Sequence, residues 1–461
     1  MFGLAATLAL SACARGQTES GDDAGGNDDG GQNQFDPEAE LSGDVQIMGF
    51  GVNDEVAEVR YNRAQEALPD VNFSLVEGDL DIQQFLSSVA ADDAPDLIYA
   101  NRDQIGTFAS RGAIIPLDEC IAGEGIDTSV FRQPALDQIT FADQLWGVPE
   151  FNQVQITMAN ADLLQGAGLT IDDVNGSDWS AIENATEQMT VREGGDLQVI
   201  GFDSKLPEFI PLWAMANGAS LLSDDGRTAN LDDPAVVEAL EFAVGIYEAQ
   251  GGFSAVKAYR DSADFFGEGN QFATDVLGAM PMEQWYVNVL NDVSPDAPMA
   301  FDTFRNQEGE PLAFASGSAW AIPAGTDTAP IACRFIRQMT ETDAWMAAAE
   351  ERHRIREEEG ELFTGLLTGN IEADERIYDE YVSHDAPEPW ASAIEAMYEG
   401  NDHTFSFPAN PADADFKNAW QDAVNRVLNG QASPQESLER GQEEAQAALD
   451  EAWAQWDEEQ D

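Results

Sequence analysis

The run Gly278-Ala279-Met280-Pro281-Met282-Glu283-Gln284-Trp285 gathers small and apolar residues into a segment that ends on an indole. It predicts a buried strand that delivers Trp285 to the floor of a cleft. An indole face can cover the apolar C–H side of a pyranose, while planar amides and carboxylates bond its hydroxyls. The chemistry suggested is recognition of a sugar-like ligand. Trp320, in the second small-residue stretch Gly317 to Pro323, and Trp213, in the helical pattern Pro211 to Gly218, are further candidate platforms. Asp54 and Asp103 are candidates for another reason: each follows a predicted strand, and open α/β sheets bind ligands at the carboxyl ends of their strands. Trp179, Trp345, Trp420, Trp453 and Trp456 lie on helical patterns and read as packing or surface residues.

The elements that must position these groups alternate. Asp44 to Phe50, Val71 to Val76 and Asp96 to Ala100 read as strands, separated by helices to about Leu68 and from Ile82 to Ala90. That order predicts a mostly parallel sheet covered on both faces. The loops to watch are Val52 to Asp54 and Asn101 to Gln104. Trp146 to Gln153 turns into a long strand, Val154 to Met158, which reads as a crossing between lobes. Asp233-Pro234 opens an amphipathic helix, with a capping Asp and Pro at the first helical position. The remainder is helical: Ala329 to Met339, Trp345 to Glu359, Asp415 to Leu428 and Pro434 to Trp456.

Length and composition bound the answer. At 461 residues, with 43% apolar residues, 24 Phe and 10 Trp, the chain can bury large cores. Its 87 Asp+Glu against 21 Lys+Arg give a net charge of -66, which argues against nucleic acid as a partner. Such acidity fits a surface kept hydrated by carboxylates and screened by high salt, the pattern of a halophile.

Residues 1–13 form a short apolar segment, too short to span a bilayer, that reads as a signal peptide. Its end, Leu10-Ser11-Ala12-Cys13, resembles the bacterial lipobox, in which the Cys carries lipid; the usual basic start is absent, since no Lys or Arg precedes Arg15. Residues 14–40, rich in Gly, Asp, Asn and Gln, read as a disordered acidic tether. The expected location is outside the cytoplasm, lipid-anchored on the outer face of the cytoplasmic membrane. Once Cys13 is assigned to lipid, Cys120 and Cys333 remain, and an oxidising compartment favours a disulfide between them. The three histidines show no metal-ligand spacing, and no nucleotide-binding or nucleophile-elbow motif appears, so no metal, no cofactor and no catalytic residue is assigned.

Several stretches resemble one family, the extracellular solute-binding proteins of carbohydrate ABC transporters, of which the maltodextrin-binding proteins are best known. They are Ala94-Pro95-Asp96-Leu97-Ile98, Gly112 to Asp118, Trp146-Gly147-Val148-Pro149 leading to Asn160 to Leu164, Gly278 to Trp285, Gly317 to Pro323, and Val427 to Pro434. The resemblance implies a periplasmic-binding-protein-like α/β fold with two lobes joined by multiple hinge crossings. It implies residues 41–150 plus 318–365 in an N-terminal lobe and 151–317 plus 366–461 in a C-terminal lobe. It places Asp103 and Gln104 at a polar ligand contact, Gln153 near the hinge, and Trp285 at a stacking position, with Glu150 and Asn152 as neighbours. It departs from the family pattern at Ala159-Asn160, where an aromatic is missing before the Asn. The expected activity is capture of a sugar, without turnover, for a membrane permease, by a monomer. Two other readings stay open: an exported lipid-anchored carbohydrate-active enzyme, and a receptor of the same fold for a cationic solute such as a polyamine.

Overall fold

In the computed structural model, residues 35–460 are described. The signal peptide, Cys13 and the tether as far as residue 34 lie outside them; for 35–40 the expectation of disorder needs correction, since Phe35 packs into the core of the first lobe and the Asp36 carbonyl accepts from Arg334 at 2.7 Å.

Two five-stranded sheets organise the chain. The first opens with β1 (Gly43–Met48), β2 (Val71–Val76) and β3 (Leu97–Asn101), which run parallel. The alternating burial of β2 marks it as an edge strand with one face on the core. A short hairpin, β4 (Thr140–Phe141) and β5 (Gln144–Leu145), precedes β6 (Val148–Gln153). One residue later the chain is in the second sheet, built from β7 (Gln155–Asn160), β8 (Val191–Glu193), β9 (Asp196–Phe202), β10 (Leu277–Glu283) and β11 (Met299–Thr303). The short β12 (Ala313–Phe314) precedes the return to the first sheet as β13 (Ser316–Ala321), and β12 later pairs with β14 (Thr404–Phe405). The orders are β2-β1-β3-β13-β6 and β11-β7-β10-β9-β8.

The expectation of mostly parallel sheets needs correction. β13 runs antiparallel to both β3 and β6, and β7 antiparallel to both β10 and β11. The parallel rule holds only where a helix carries the chain back over the same sheet; β13 instead arrives from the other lobe. Each lobe has its own apolar core. Trp320 sits in the first among Phe50, Tyr99 and Phe335, and Trp213 in the second against Phe242 and Phe304.

Local signals behave as physical chemistry requires. Asp54 caps Glu55–Ala67 by accepting from the Ala57 N–H at 2.8 Å, and Asp233 caps Pro234–Ala249 with Pro at the first position. Cys120 and Cys333 are joined, with Cα atoms 5.8 Å apart, tying helix Asp118–Glu124 to Ala329–Thr340.

The crossings between lobes are narrow. Val154 alone separates β6 from β7, and Gln284 holds it from the second lobe. The Gln284 Oε1 accepts from the Val154 N–H at 2.8 Å, while the Gln284 N–H donates to the Val154 carbonyl at 2.9 Å. Ala315 alone separates β12 from β13. A third crossing brings residues 361–370 back, bridging Phe151 to Thr368 and Phe131 to Asn370.

Candidate functional site

One chain of buried polar groups threads the crossings. Arg102, just beyond β3, is fully buried and bonds only neutral acceptors: Gln138 Oε1 at 2.8 Å, the Phe151 carbonyl at 3.1 Å, and Asn152 Oδ1 and the Ser316 carbonyl at 2.6 Å each. Asn152 Nδ2 donates to Asn401 Oδ1 at 2.6 Å, and Asn401 Nδ2 donates to Asp374 Oδ2 at 2.9 Å. Arg132 pairs with the same oxygen at 3.1 Å. Leaving any of these groups unbonded in the interior would cost about 1–3 kcal/mol, so the set specifies how the crossings pack. Burial pushes the Arg102 guanidinium down to about 10.

Beside this chain, at the junction of the lobes, lies a cavity of ≈ 210 Å³. Five of its walls are aromatic: Phe209 and Phe314, and then Phe407, Phe416 and Trp420 from the C-terminal region. Phe314 and Phe407 have ring centroids 5.1 Å apart, and Phe407 meets Phe416 edge-on at 6.0 Å. Among these rings stand amides, Gln138 and Gln155, and charged groups, Arg102, Asp103, Glu208, Glu283, Asp413 and Lys417. Apolar rings with a few placed polar groups are the ordinary make-up of a small-molecule site.

The charged groups divide by partner. Lys417 pairs with Asp103 Oδ2 at 2.5 Å. Asp413 accepts from the Gly106 N–H at 3.0 Å and from the backbone and side chain of Asn410. That contact needs glycine, because a Cβ at Gly106 would stand 2.2 Å from the Asn410 carbonyl oxygen. Burial raises the Asp413 carboxyl well above its usual range, with nearby Asp103 adding to the effect. Glu283, the last residue of β10, is also raised by burial; Glu208 adds to the rise and Lys205 opposes it.

The sequence candidates are distributed unevenly over this geometry. Asp103 lines the cavity, and its Oδ1, like the Gln104 Oε1, is buried without a hydrogen-bond partner. Gln153 is half-buried in β6 and accepts from the Ser316 Oγ at 3.4 Å. Trp285 is half-buried two residues beyond Glu283 and stacks at 6.1 Å on Phe266, an exposed ring; like Gln104 and Gln153 it is not among the residues that line the cavity. Five other candidates need correction as ligand contacts. Trp213 and Trp320 are each 0% exposed inside their own cores, so neither offers a face to the cavity. Glu150 is consumed within the first lobe by Arg60 and by the Tyr99 hydroxyl at 2.6 Å. Asn152 spends its amide on the crossing, as above. Asp54, besides capping its helix, pairs with Arg352 at 2.7 Å and does not line the cavity.

Sequence reasoning missed most of the wall. Trp420 read as a packing residue; it is nearly buried, yet it lines the cavity. Phe405-Ser406-Phe407-Pro408-Ala409-Asn410-Pro411 is an aromatic, proline-rich joint between helices, and that was the available signal. Among the described residues no His, Cys, Asp and Glu group could hold a metal ion, and no helix is long and apolar enough to cross a membrane.

Comparison with known proteins bears on this geometry. A family model described as bacterial extracellular solute-binding protein matches residues 60–355. No curated protein matches. Among solved structures, an ABC substrate-binding protein from Listeria monocytogenes in complex with cycloalternan is similar, with TM-score 0.70 and 16% identity, over 89% of this chain and 100% of that one. An ABC transporter solute-binding protein from Thermotoga lettingae bound with alpha-D-tagatose gives 0.67 and 20%, over 88% and 100%. The sugar-binding protein MalE from Xanthomonas citri gives 0.67 and 16%, over 91% and 100%. At these identities the likeness is one of fold: two α/β lobes joined by several hinge crossings.

Proposed function

The chain belongs to the bacterial extracellular solute-binding proteins, and from that premise we propose that it captures a sugar in the cavity between its two lobes. The observation that carries this reading is the wall itself, five aromatic rings interleaved with amides and carboxylates at the junction of the lobes. The structural neighbours from Listeria monocytogenes and Thermotoga lettingae, whose ligands are cycloalternan and tagatose, support the same class. Asp103 is retained as a ligand contact, with Gln104 beside it, and Trp285 as an aromatic edge of the second lobe. A ligand that touches both walls only in the closed form shifts the open–closed equilibrium by those extra contacts.

The finer reading includes delivery to an ABC permease and an anchor at Cys13, with the residues from 14 to 34 as tether, on the outer face of the cytoplasmic membrane. It also includes a monomeric receptor whose lobes comprise 41–150 plus 318–365 and 151–317 plus 366–461. The sheets support crossings close to those bounds, at Val154 and Ala315.

A thermal-shift panel of mono- and oligosaccharides in high salt tests the proposal, followed by Trp420→Ala. At least one sugar is expected to raise the Tm, and the variant to lose about tenfold or more of its affinity while staying folded. Full affinity in the variant would show that the site lies elsewhere.

A further inference from the structure

We propose that the sugar carries a protonated amine, and that Glu283 on the second lobe receives it. This rests on the sugar-capture reading above and narrows its ligand class.

The inference comes from a charge inventory of the cavity. Two cations and four carboxylates line it. Both cations are engaged: Lys417 by Asp103 at 2.5 Å, and Arg102 by four neutral acceptors of the crossings. Two carboxylates are also accounted for, Asp103 by that lysine and Asp413 by the Gly106 and Asn410 donors. Glu208 and Glu283 are left on the second-lobe wall with no cation within ion-pair distance among the described residues. Lys205, nearest in charge to Glu283, is directed instead toward the Phe209 ring, its Nζ 6.0 Å from the centroid.

The anomaly is sharper for Glu283 than for an ordinary surface acid. It ends a strand whose other residues are all buried, and burial holds its carboxyl above the usual range. A half-buried carboxylate with neither a paired cation nor a donated side-chain hydrogen bond is better satisfied when a donor from outside reaches it. The groups left open at the cavity are acceptors: Asp103 Oδ1, buried without a partner, on one lobe, and on the other the Glu283 carboxylate, which has a backbone hydrogen bond but no side-chain or ion-pair partner among the described residues. A ligand filling this space must therefore bring donors to both walls. Hydroxyls can serve Asp103. An ammonium group serves Glu283 better, because a charge-assisted bond also neutralises the remaining carboxylate. A chain of net charge -66 also draws cations toward its clefts.

The test compares three probes by calorimetry in high salt: a glucosamine disaccharide with free amines, its fully N-acetylated form, and cellobiose, alongside spermidine. The free-amine disaccharide is expected to bind about tenfold or more tightly than the other two sugars. Glu283→Gln, with an unchanged melting curve, is expected to reduce that preference to within about threefold. Equal binding of all three sugars, or an undiminished preference in the variant, overturns the inference and leaves sugar capture standing. Binding of spermidine with no sugar bound overturns both.

Discussion

Asp374 shows how a single residue can tune the crossings. Its carboxyl accepts from Thr368 N–H and Oγ–H at 2.8 Å each and from Asn401, and it faces Arg132. Burial nevertheless pushes it up to about 7. A carboxyl whose folded value lies above its unfolded value of about 4 binds its proton more tightly in the folded state. Its stabilising contribution is therefore complete below about pH 4 and is lost as pH rises through about 7, on the order of 4 kcal/mol over the whole window. The melting temperature of the wild type minus that of Asp374→Asn should fall steadily from pH 5 to pH 8. A difference that stays flat across that range would show that Asp374 does not titrate there. The same polar chain explains why Asn152 and Glu150 misled: a buried amide or carboxylate beside a cleft looks alike in sequence whether it faces a ligand or a neighbouring crossing.

At the scale of elements, what was legible followed from local pattern. The strand leading to Asp103 is a short continuous apolar run with a turn after its end, so the position of Asp103 at a strand end could be read without the rest of the chain, and there it lines the cavity. The helix after Asp233 was equally plain. Trp213 and Trp320 were not, because an apolar helix or small-residue stretch bearing a Trp predicts burial without saying on which side the ring lies, and here both rings face a core. The aromatic wall was hidden for a different reason. Phe209, Phe314 and Trp420 are separated by about a hundred residues each and meet only through the tertiary packing of helix Asp413–Leu428. The bridge between Cys120 and Cys333 was legible from arithmetic alone, and it closes a separation of 213 residues between two helices of the first lobe. Reducing it should lower stability by about 2–5 kcal/mol, read as a shift in the urea midpoint with and without reductant, and the Cys120→Ser/Cys333→Ser variant should match the reduced protein. Coincident midpoints in oxidised and reduced protein would contradict this.

The whole molecule adds a feature that belongs to neither lobe. Helix Pro434–Gln460 contributes Leu438, Ala445 and Leu449 to the second-lobe core, yet its far end sets Trp453 and Trp456 against Phe141 and Trp146 of the first. Both lobes thus share one helical strut. Charge acts at the same scale. With 87 acidic residues, repulsion opposes compaction, and the surface ion pairs seen here are each worth about 1 kcal/mol or less. The melting temperature should therefore climb steeply as NaCl or KCl is raised from about 0.1 M, where the screening length is about 10 Å, to several molar. A flat salt dependence would count against a halophilic surface.

The clamp of Gln284 on Val154 has a consequence for timing and cost. With one residue between the sheets and both of its backbone groups held, the first crossing has almost no slack to freeze when the lobes meet. Ordering a free residue costs about 1–2 kcal/mol, so a floppy connection of several residues would take that much from every binding event. Here the wandering has been removed in advance, and most of what a ligand gains by touching both walls is left to hold it in place.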